Sequence, residues 1–595
     1  MIGKFIGELK RRNVFRAAVL YGGGVWVISQ GISELTGSLG LPEESTKWFM
    51  IASLIGFPFW LAASWFFELT AEGIKRESDI SAEARAGKSN RKTDLMIIGV
   101  LAVAVVLLLT DRLVEGSGSA SPKAQTMALD NSIAVLPFEN ESGDKEQQYF
   151  SDGLSEGFII ALSRLDGLRV INRKSSFMFR DSKKSDADIA AKLGVSHLLE
   201  GSVRRIGNTV RISATLSKSS DGTTLWADSF DRPYQDLFAV QDQIVAQVAE
   251  ALKAKLKLTS DAKPEQSDRP PSGNLQAYDA YMQAHAAAAT NARKAIALYD
   301  KAIGFDPKYG VAYAMKARAL IDIVSGGLTG DAADQALQEA EQAVAQAQRL
   351  APSQAATHIA RGWLLTLRDF SWKEGEAEFR QAVALAPEDG DALYMLGVAR
   401  ASQGDLQQAV ALTQRALKQD PLDANWYRWL VAYLMPLGQL DAASSALAKA
   451  IELEPNALYN HHLQTIIEVV RKDPAAAQKA AALEPAGPWQ DFALALAAQI
   501  GVDRVAADTQ LKACITRYPE GWAFQIAQLY AVRGEPDAMF EWLDRALKDH
   551  DSGMQSLLYD ALLLRYRNDP RYAELAKAAG LPWPPETETV NARRE

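Results

Sequence analysis

A serine between two glycines is the clearest sign of covalent chemistry in this sequence. Gly153, Ser155 and Gly157 match the GxSxG pattern, which in serine hydrolases exposes a nucleophilic hydroxyl on a strained turn. That turn requires a strand directly before the serine, whereas the preceding residues, EQQYFSD, indicate the start of a helix. His197, the histidine nearest in sequence, falls on a predicted strand. The context favours a helix cap, so we assign no catalytic residue and keep an envelope hydrolase acting through Ser155 only as a hypothesis to test.

Metal and cofactor chemistry have weak support in the sequence. His461 and His462 are adjacent, so on a helix they point about 100° apart and do not share a ligand face. The single cysteine, Cys514, excludes an internal disulfide and any CxxC motif, and it fits a small packed position. The three glycines at 22–24 lack the strand and the GK[ST] of a phosphate loop. We therefore predict no metal and no cofactor.

A repeat of 34 residues organises the second half of the chain. Between Gly390 and Pro455, small residues recur where two antiparallel helices must approach closely, and a proline ends the second helix of each unit. This spacing is that of the tetratricopeptide (TPR) repeat, and because one such helix pair cannot bury its apolar face alone, neighbouring units are expected. We predict an all-α TPR solenoid of about eight units over 274–552, then a capping helix and polar tail over 553–595. The first unit's signature residues are Leu396, Gly397, Ala409, Ala416 and Pro421.

The first helices of TPR units line a groove, and this repeat geometry selects candidate binding residues. An aromatic ring, an amide and an arginine at groove positions can hold an extended peptide by its backbone and carboxylates. The alternative interpretation is that the same positions form an ordinary polar surface. The candidates for a protein or peptide ligand are Asp391, Tyr394, Asn425, Arg428 and Trp489.

The N-terminal part is predicted to be a membrane anchor over 1–115, with transmembrane helices at 17–35, 48–69 and 94–113. The run Trp48 to Phe67 is uncharged for 20 residues, which meets the length of a membrane span. Basic residues gather before the first run and in the loop after the second. Positive-inside bias then places the N-terminus in the cytoplasm and, with three spans, the bulk of the chain in the periplasm of a bacterium.

A small α/β domain is predicted over 131–258, between linkers at 116–130 and 259–273. Strand and helix signals alternate in the order βαβαβββα, which indicates an α/β sandwich with a mixed sheet. The clearest element is a hairpin from His197 to Leu216, because Gly207-Asn208 separates two runs and the second run alternates apolar and polar residues. The predicted fold class is thus multidomain: transmembrane helices, a small α/β domain and a TPR solenoid.

Four stretches of this domain carry a family resemblance. IAVLPFENESGDKEQQYFSDGLSEGFIIALSR, LLEGSVRRIGNTVRISATL, DGTTLWADSFDR and FAVQDQIVAQVAEAL resemble the TolB-like, or FlgO-like, N-terminal domain of bacterial membrane-anchored TPR proteins. In related architectures these parts are joined to a class III nucleotide cyclase or a winged-helix DNA-binding domain. Neither is found here, so the resemblance implies a fold and an envelope location but no output activity.

Charge limits the class of partner. Residues 111–595 hold 52 basic and 63 acidic side chains, a net charge of −11, which is unsuited to a phosphate backbone and predicts no nucleic acid. The leading hypothesis is a non-enzymatic inner-membrane scaffold or sensor whose periplasmic TolB-like and TPR domains mediate protein–protein interaction. The alternative is a membrane signalling component that regulates a separate nucleotide cyclase or transcription regulator.

Overall fold

The structure is a computed structural model that contains two compact units, residues 1–123 and residues 124–595. The residues that it describes are 21, 25, 49, 52, 53, 56, 57, 60, 67–70, 73–76, 129–144, 147–163, 165, 167–253, 267–288, 290–325, 328 and 330–585.

The prediction of N-terminal transmembrane helices is wrong for the part of the chain that the structure describes. There, no helix combines the length and the apolar character needed to cross a bilayer. Phe67–Thr70, where the predicted span 48–69 ends, is strand β1 and pairs antiparallel with β2, Gly73–Arg76. Its backbone bonds therefore go to a neighbouring strand rather than along a helix. Most of 17–35 and 48–69 and all of 94–113 lie outside the described residues.

A mixed sheet forms the centre of the α/β domain, with strand order β5-β3-β6-β7-β8 and β4 paired to β6. β3 is parallel to β5 and β6, and β4 is parallel to β6, whereas β7 is antiparallel to its neighbours β6 and β8. The strands are β3 Leu129–Val135, β4 Glu139–Asn140, β5 Arg169–Val170, β6 Val195–Ile206, β7 Thr209–Lys218 and β8 Thr224–Pro233.

The hairpin β6–β7 turns at Gly207-Asn208, where Gly207 has a φ of +58°, a left-handed conformation that glycine adopts without steric cost. Along β7, Val210 and Ile212 are buried, and the alternating Arg211 is exposed. This period of two follows from the pleat of a strand, and it gives the sheet one face for a core.

Four helices pack on the two faces of this sheet. α1 and α4 cover the core that contains Ile133 and Val135, while α3 covers the core that contains Ala134 and Leu136. The short helix α2 follows β5 and was not predicted. The helices are α1 Gln148–Leu162, α2 Arg173–Phe177, α3 Asp186–Leu193 and α4 Leu237–Lys253.

Eight antiparallel helix pairs follow, which confirms the predicted TPR solenoid. They are α5 Leu275–Ala288 with α6 Ala292–Phe305, α7 Gly310–Ser325 with α8 Asp331–Leu350, α9 Ala355–Arg368 with α10 Trp372–Leu385, α11 Gly390–Ser402 with α12 Leu406–Gln419, α13 Ala424–Leu434 with α14 Leu440–Leu453, α15 Asn460–Arg471 with α16 Pro474–Leu483, α17 Pro488–Gln499 with α18 Arg504–Arg517, and α19 Ala523–Arg533 with α20 Pro536–Lys548.

Small side chains let the two helices of a pair approach. A Cβ atom on Gly397 of α11 would lie 3.2 Å from the Thr413 hydroxyl oxygen and 3.4 Å from the Ala409 carbonyl oxygen, both on α12. Ala409 and Ala416 are themselves fully buried. Larger residues at these positions would separate the pair, because protein cores are packed without spare volume.

The last described segment closes the solenoid with two short 3₁₀ turns, Ser552–Ser556 and Leu564–Tyr566, and helix α21, Pro570–Ala578. Met554, Leu563 and Tyr572 pack in one apolar cluster with residues of α19 and α20. The predicted polar tail beyond residue 585 lies outside the described residues.

Candidate protein-binding surface

The candidate binding residues lie at the beginnings of first helices, where aspartates cap the backbone. Asp389 accepts a hydrogen bond from Ala392 N at the start of α11, and Asp423 accepts one from Trp426 N at the start of α13. Such caps satisfy amide groups that have no partner inside the helix. They fix the first turns that carry Asp391 and Asn425.

Asp391 and Tyr394 of α11 both have partners within the chain. A carboxylate oxygen of Asp391 lies 2.8 Å from Arg318 Nη2 of α7. Burial opposes ionisation of Asp391, but the Arg318 charge outweighs it and lowers the pKa of that carboxyl. The Tyr394 ring stacks on Trp426 at 5.9 Å between centroids. Tyr394 is half-buried between its neighbours.

The candidates on α13 divide between two units. Asn425 is half-buried and within hydrogen-bonding reach of Tyr394, so these two side chains form one patch. Arg428 turns to the next unit instead, with Nη1 at 3.0 Å from Glu454 Oε2 and 3.3 Å from Asn460 Oδ1. The structure thus brings Tyr394 and Asn425 together and commits Arg428 to a contact between repeats.

Trp489 belongs to a separate aromatic cluster around the start of α17. Its ring lies 4.5 Å from that of Tyr459, 5.0 Å from that of His462 and 4.9 Å from that of Trp522, measured between centroids. His462 is buried, and burial lowers its pKa to about 4, so this imidazole is neutral at pH 7. The neutral ring donates a hydrogen bond from Nδ1 to the carbonyl oxygen of Trp489, at 3.2 Å.

Ser155 and the flanking Gly157, which match the GxSxG pattern, have structural roles. Ser155 is fully buried inside α1, where its hydroxyl donates to the Ser151 carbonyl and accepts from Phe138 N at 2.9 Å. No strained turn exposes it. The flanking Gly157 allows the Gln241 side chain to approach α1 closely, since a Cβ atom at position 157 would overlap the Gln241 amide.

Among the described residues, no group of three or more potential side-chain ligands could hold a metal ion.

A contact between the α/β domain and the solenoid was missed by sequence reasoning. We call residues 172–176 the docking segment and residues 419–423 the acceptor turn. Asn172 N donates to Gln419 O at 2.8 Å, and Lys174 Nζ lies 2.9 Å from Asp423 Oδ2. The only hint in the sequence is local, a basic Asn-Arg-Lys-Ser-Ser run beside a turn with two aspartates. Nothing in either run indicates that they pair.

Serine and aspartate complete this contact. Ser175 N donates to Asp420 Oδ1 at 2.6 Å, and Ser175 Oγ accepts from Leu422 N at 2.8 Å. Asp420 is 3% exposed, and burial, with Asp423 nearby, raises the pKa of its carboxyl to about 7. We call the whole set of bonds between the docking segment and the acceptor turn the polar seam.

A second junction joins the two domains at the first solenoid helix. Glu156 of α1 has Oε2 at 3.1 Å from His285 Nδ1 of α5 and at 3.3 Å from Arg173 Nε. Burial opposes the charge of Glu156, but His285 and then Arg173 outweigh it and lower the pKa of that carboxyl. Because Arg173 also belongs to the docking segment, this junction is continuous with the polar seam.

The opposite ends of the first helices meet the C-terminal segment. We call the contacts of residues 554–585 with α10–α13 the C-terminal seam. Tyr559 is 3% exposed and packs with Ala401, Leu406 and Tyr433, its ring 5.5 Å from that of Tyr433. Farther along, Trp372 Nε1 donates to Ala579 O at 2.8 Å. This seam is mainly aromatic and aliphatic.

Comparisons with known proteins agree with the repeat architecture. Two tetratricopeptide-repeat descriptions match residues 367–430 and 426–457. The chain therefore contains TPR repeats. In sequence it is 36% identical over 244 residues to a Rhizobium meliloti protein named "Putative adenylate cyclase 3", an alignment that covers 39% of this chain. The chain spans about 40% of that relative's length.

Three solved structures show a partial likeness to this chain, each with a TM-score below 0.5. The type IV pilus biogenesis factor PilW is 22% identical, with a TM-score of 0.30 over 35% of this chain and 92% of its own. YrrB, described as a TPR protein with an unusual peptide-binding site, is 20% identical, with a TM-score of 0.25 over 36% of this chain and 97% of its own. Yeast Tom70 is 16% identical, with a TM-score of 0.32 over 57% of this chain and 77% of its own.

Proposed function

We propose that this chain is a non-catalytic scaffold or sensor that binds a protein partner through its TPR solenoid, and that its α/β domain is a TolB-like domain. TPR repeats mediate protein–protein interaction, and the described part of this chain has eight helix pairs of that architecture. The patch of Tyr394 and Asn425 carries the assignment to a surface. It offers an aromatic ring and an amide that the repeat leaves partly exposed.

Such a patch suits a peptide better than a small polar metabolite. The stacked rings of Tyr394 and Trp426 provide apolar area, and the nearby Asn425 amide can bond a peptide backbone. Aromatic residues that are partly buried before binding lose little conformational entropy when a partner covers them. The cellular location given above stays a prediction from the sequence.

A photo-crosslinking residue tests this surface. Tyr394 is replaced by benzoylphenylalanine in the full chain, and the same residue replaces Lys449 on α14, which is also half-buried, as the control. Irradiation in cells of the source organism should join a protein partner at position 394 and not at 449. Equal yields at the two positions, or no adduct at 394, would contradict the proposed surface.

A second candidate function is the regulation of a separate nucleotide cyclase. The observation that favours it is the 36% identity with the relative named "Putative adenylate cyclase 3". Purified chain, added to the cyclase of the same organism, should change the rate of cyclic AMP formation without forming cyclic AMP by itself. An unchanged rate would remove this candidate.

A further inference from the structure

The polar seam joins two regions through directional contacts of a few residues. The docking segment contributes two backbone amides, an ammonium group and a hydroxyl, and the acceptor turn provides a matching group for each. One apolar side chain of the turn, Leu422, is 8% exposed and packs with residues of the α/β domain. Interfaces between domains that are this polar resemble transient protein–protein contacts.

The groups that bind Asn172, Lys174 and Ser175 all lie within the acceptor turn itself. Asp423 uses one carboxylate oxygen to cap α13 and the other to hold the Lys174 ammonium. Asp420 receives the Ser175 amide, and the Leu422 amide is available to a serine hydroxyl. Because the turn's fold depends on α12 and α13, its groups keep their positions when the docking segment leaves. A segment from another protein can therefore use the same set.

The docking segment is equally local. α2 spans only Arg173–Phe177, a single helical turn that starts after Asn172. A lysine followed by a serine in such a turn, together with the backbone amide two residues before the lysine, supplies every group that the acceptor turn binds. A partner needs only a short surface-exposed turn of this chemistry, which many proteins can present.

We propose that the polar seam is a releasable contact and that the acceptor turn, once free, binds a Lys-Ser segment of a protein partner in place of residues 172–176. This proposal rests on the proposed protein-binding function and names the partner's chemistry. In the closed chain the α/β domain competes with the partner by occupying the turn. Release is favoured when the Lys174 contact is weakened.

A synthetic peptide with the sequence of residues 170–179 tests the proposal. The peptide carries a fluorophore, and its binding to the full chain is followed by anisotropy. Lys174→Glu should weaken docking by placing a negative charge beside Asp423, and it leaves the acceptor turn unchanged. The peptide should bind this variant at least about tenfold more tightly than the natural chain, a difference of about 1.4 kcal/mol.

Three controls make the result specific. Lys449→Glu reverses a half-buried lysine that pairs with Glu452 of the same helix, and it should bind the peptide like the natural chain. A peptide with Glu and Ala at the Lys174 and Ser175 positions should bind none of the proteins. Adding Asp423→Asn to Lys174→Glu keeps the helix cap and should reduce peptide affinity several-fold, because the ammonium loses its counter-charge.

Hydrogen exchange of residues 169–180 reports docking directly. Exchange should increase in Lys174→Glu and remain unchanged in Lys449→Glu. Equal exchange in the two variants, or equal peptide affinity for Lys174→Glu and the natural chain, would overturn the proposal. Crosslinking at position 394 separates it from the proposed function, because loss of that crosslink with intact peptide binding would contradict the Tyr394 surface alone.

Discussion

The two seams hold the same stretch of solenoid by different physical means. At the polar seam, Lys174, Ser175 and their partners exchange hydrogen bonds that water also offers, so each contributes only about 1 kcal/mol net. At the C-terminal seam, Tyr559 and Trp372 remove aromatic area from water, and a fully buried large apolar side chain contributes about 1.5–3 kcal/mol. The polar seam is therefore suited to release, and the C-terminal seam is suited to permanent closure.

The two seams lie at opposite ends of the first helices. Asp389 and Asp423 begin first helices near the polar seam, whereas Ala401 and Tyr433 lie near the ends of those helices at the C-terminal seam. Tyr394 lies between these ends on α11. Separation of the C-terminal seam requires more free energy than separation of the polar seam. A partner that approaches Tyr394 therefore gains access more readily when the polar seam opens.

The largest expected effect is at the C-terminal seam. Tyr559→Ala should lower the free energy of unfolding by about 3–5 kcal/mol, because it leaves a cavity beside Tyr433. Urea unfolding followed by circular dichroism measures the change. Tyr559→Phe is the matched control, and it should be neutral or slightly stabilising, because the buried Tyr559 hydroxyl has no hydrogen-bond partner among the described residues. A large loss in Tyr559→Phe would contradict this account of the seam.

An intermediate effect concerns pH at the polar seam. Burial raises the pKa of Asp420 to about 7, and Asp423, Lys174 and Ser175 face it. In a detached turn the carboxyl returns to its ordinary pKa of about 4. The docked state gains stability from the raised pKa that is complete below pH 4 and is lost as pH rises through 7.

Asp420→Asn isolates this contribution. Docking in the natural chain should weaken by about 2–3 kcal/mol between pH 5 and pH 8, and this variant should lose that part of the dependence. Hydrogen exchange of residues 169–180, corrected for the intrinsic exchange rate at each pH, measures docking, with Asp544→Asn, a change on α20, as the control. A natural chain whose docking strengthens toward pH 8 would show that the sign is wrong.

The smallest effect is the ion pair itself. Lys174→Met keeps the apolar stem and Asp423→Asn keeps the cap, so their double-mutant cycle isolates the attraction between the charges. Because the Lys174 side chain is 48% exposed, solvent screening should limit the coupling to about 0.5–1 kcal/mol. Urea unfolding of the four proteins measures it. A coupling near zero would mean that the acceptor turn is held by its hydrogen bonds with Asn172 and Ser175 and not by the ion pair.

The repeat could be predicted because its causes are local. Gly397, Ala409 and Ala416 recur at spacings that follow from helix packing, and these positions also located Tyr394 and Asn425. The hairpin at Gly207-Asn208 has an equally local signal. In each case the residue type and the sequence spacing contain the physical reason for the structure.

Other features depend on contacts that no spacing reveals. Lys174 meets Asp423, and Tyr559 meets Tyr433, only after the solenoid has formed. Arg428 occupies a predicted groove position, yet Glu454 and Asn460 of the following turn and helix engage it. Near the N-terminus, the hydropathy of residues 48–69 indicated a membrane-spanning helix. The end of that run instead forms a strand, Phe67–Thr70, which pairs with Gly73–Arg76. The apolar run alone does not distinguish these outcomes.

Hydrogen–deuterium exchange of the full natural chain compares the seams most directly. Mass spectrometry would follow the backbone amides of residues 169–180 and 554–566 under native conditions in one experiment. The account predicts that the amides of Ser175 and its neighbours exchange through local opening of the polar seam, while those around Tyr559 exchange only with unfolding of the solenoid. Equal protection of the two segments, or earlier opening around Tyr559, would contradict it.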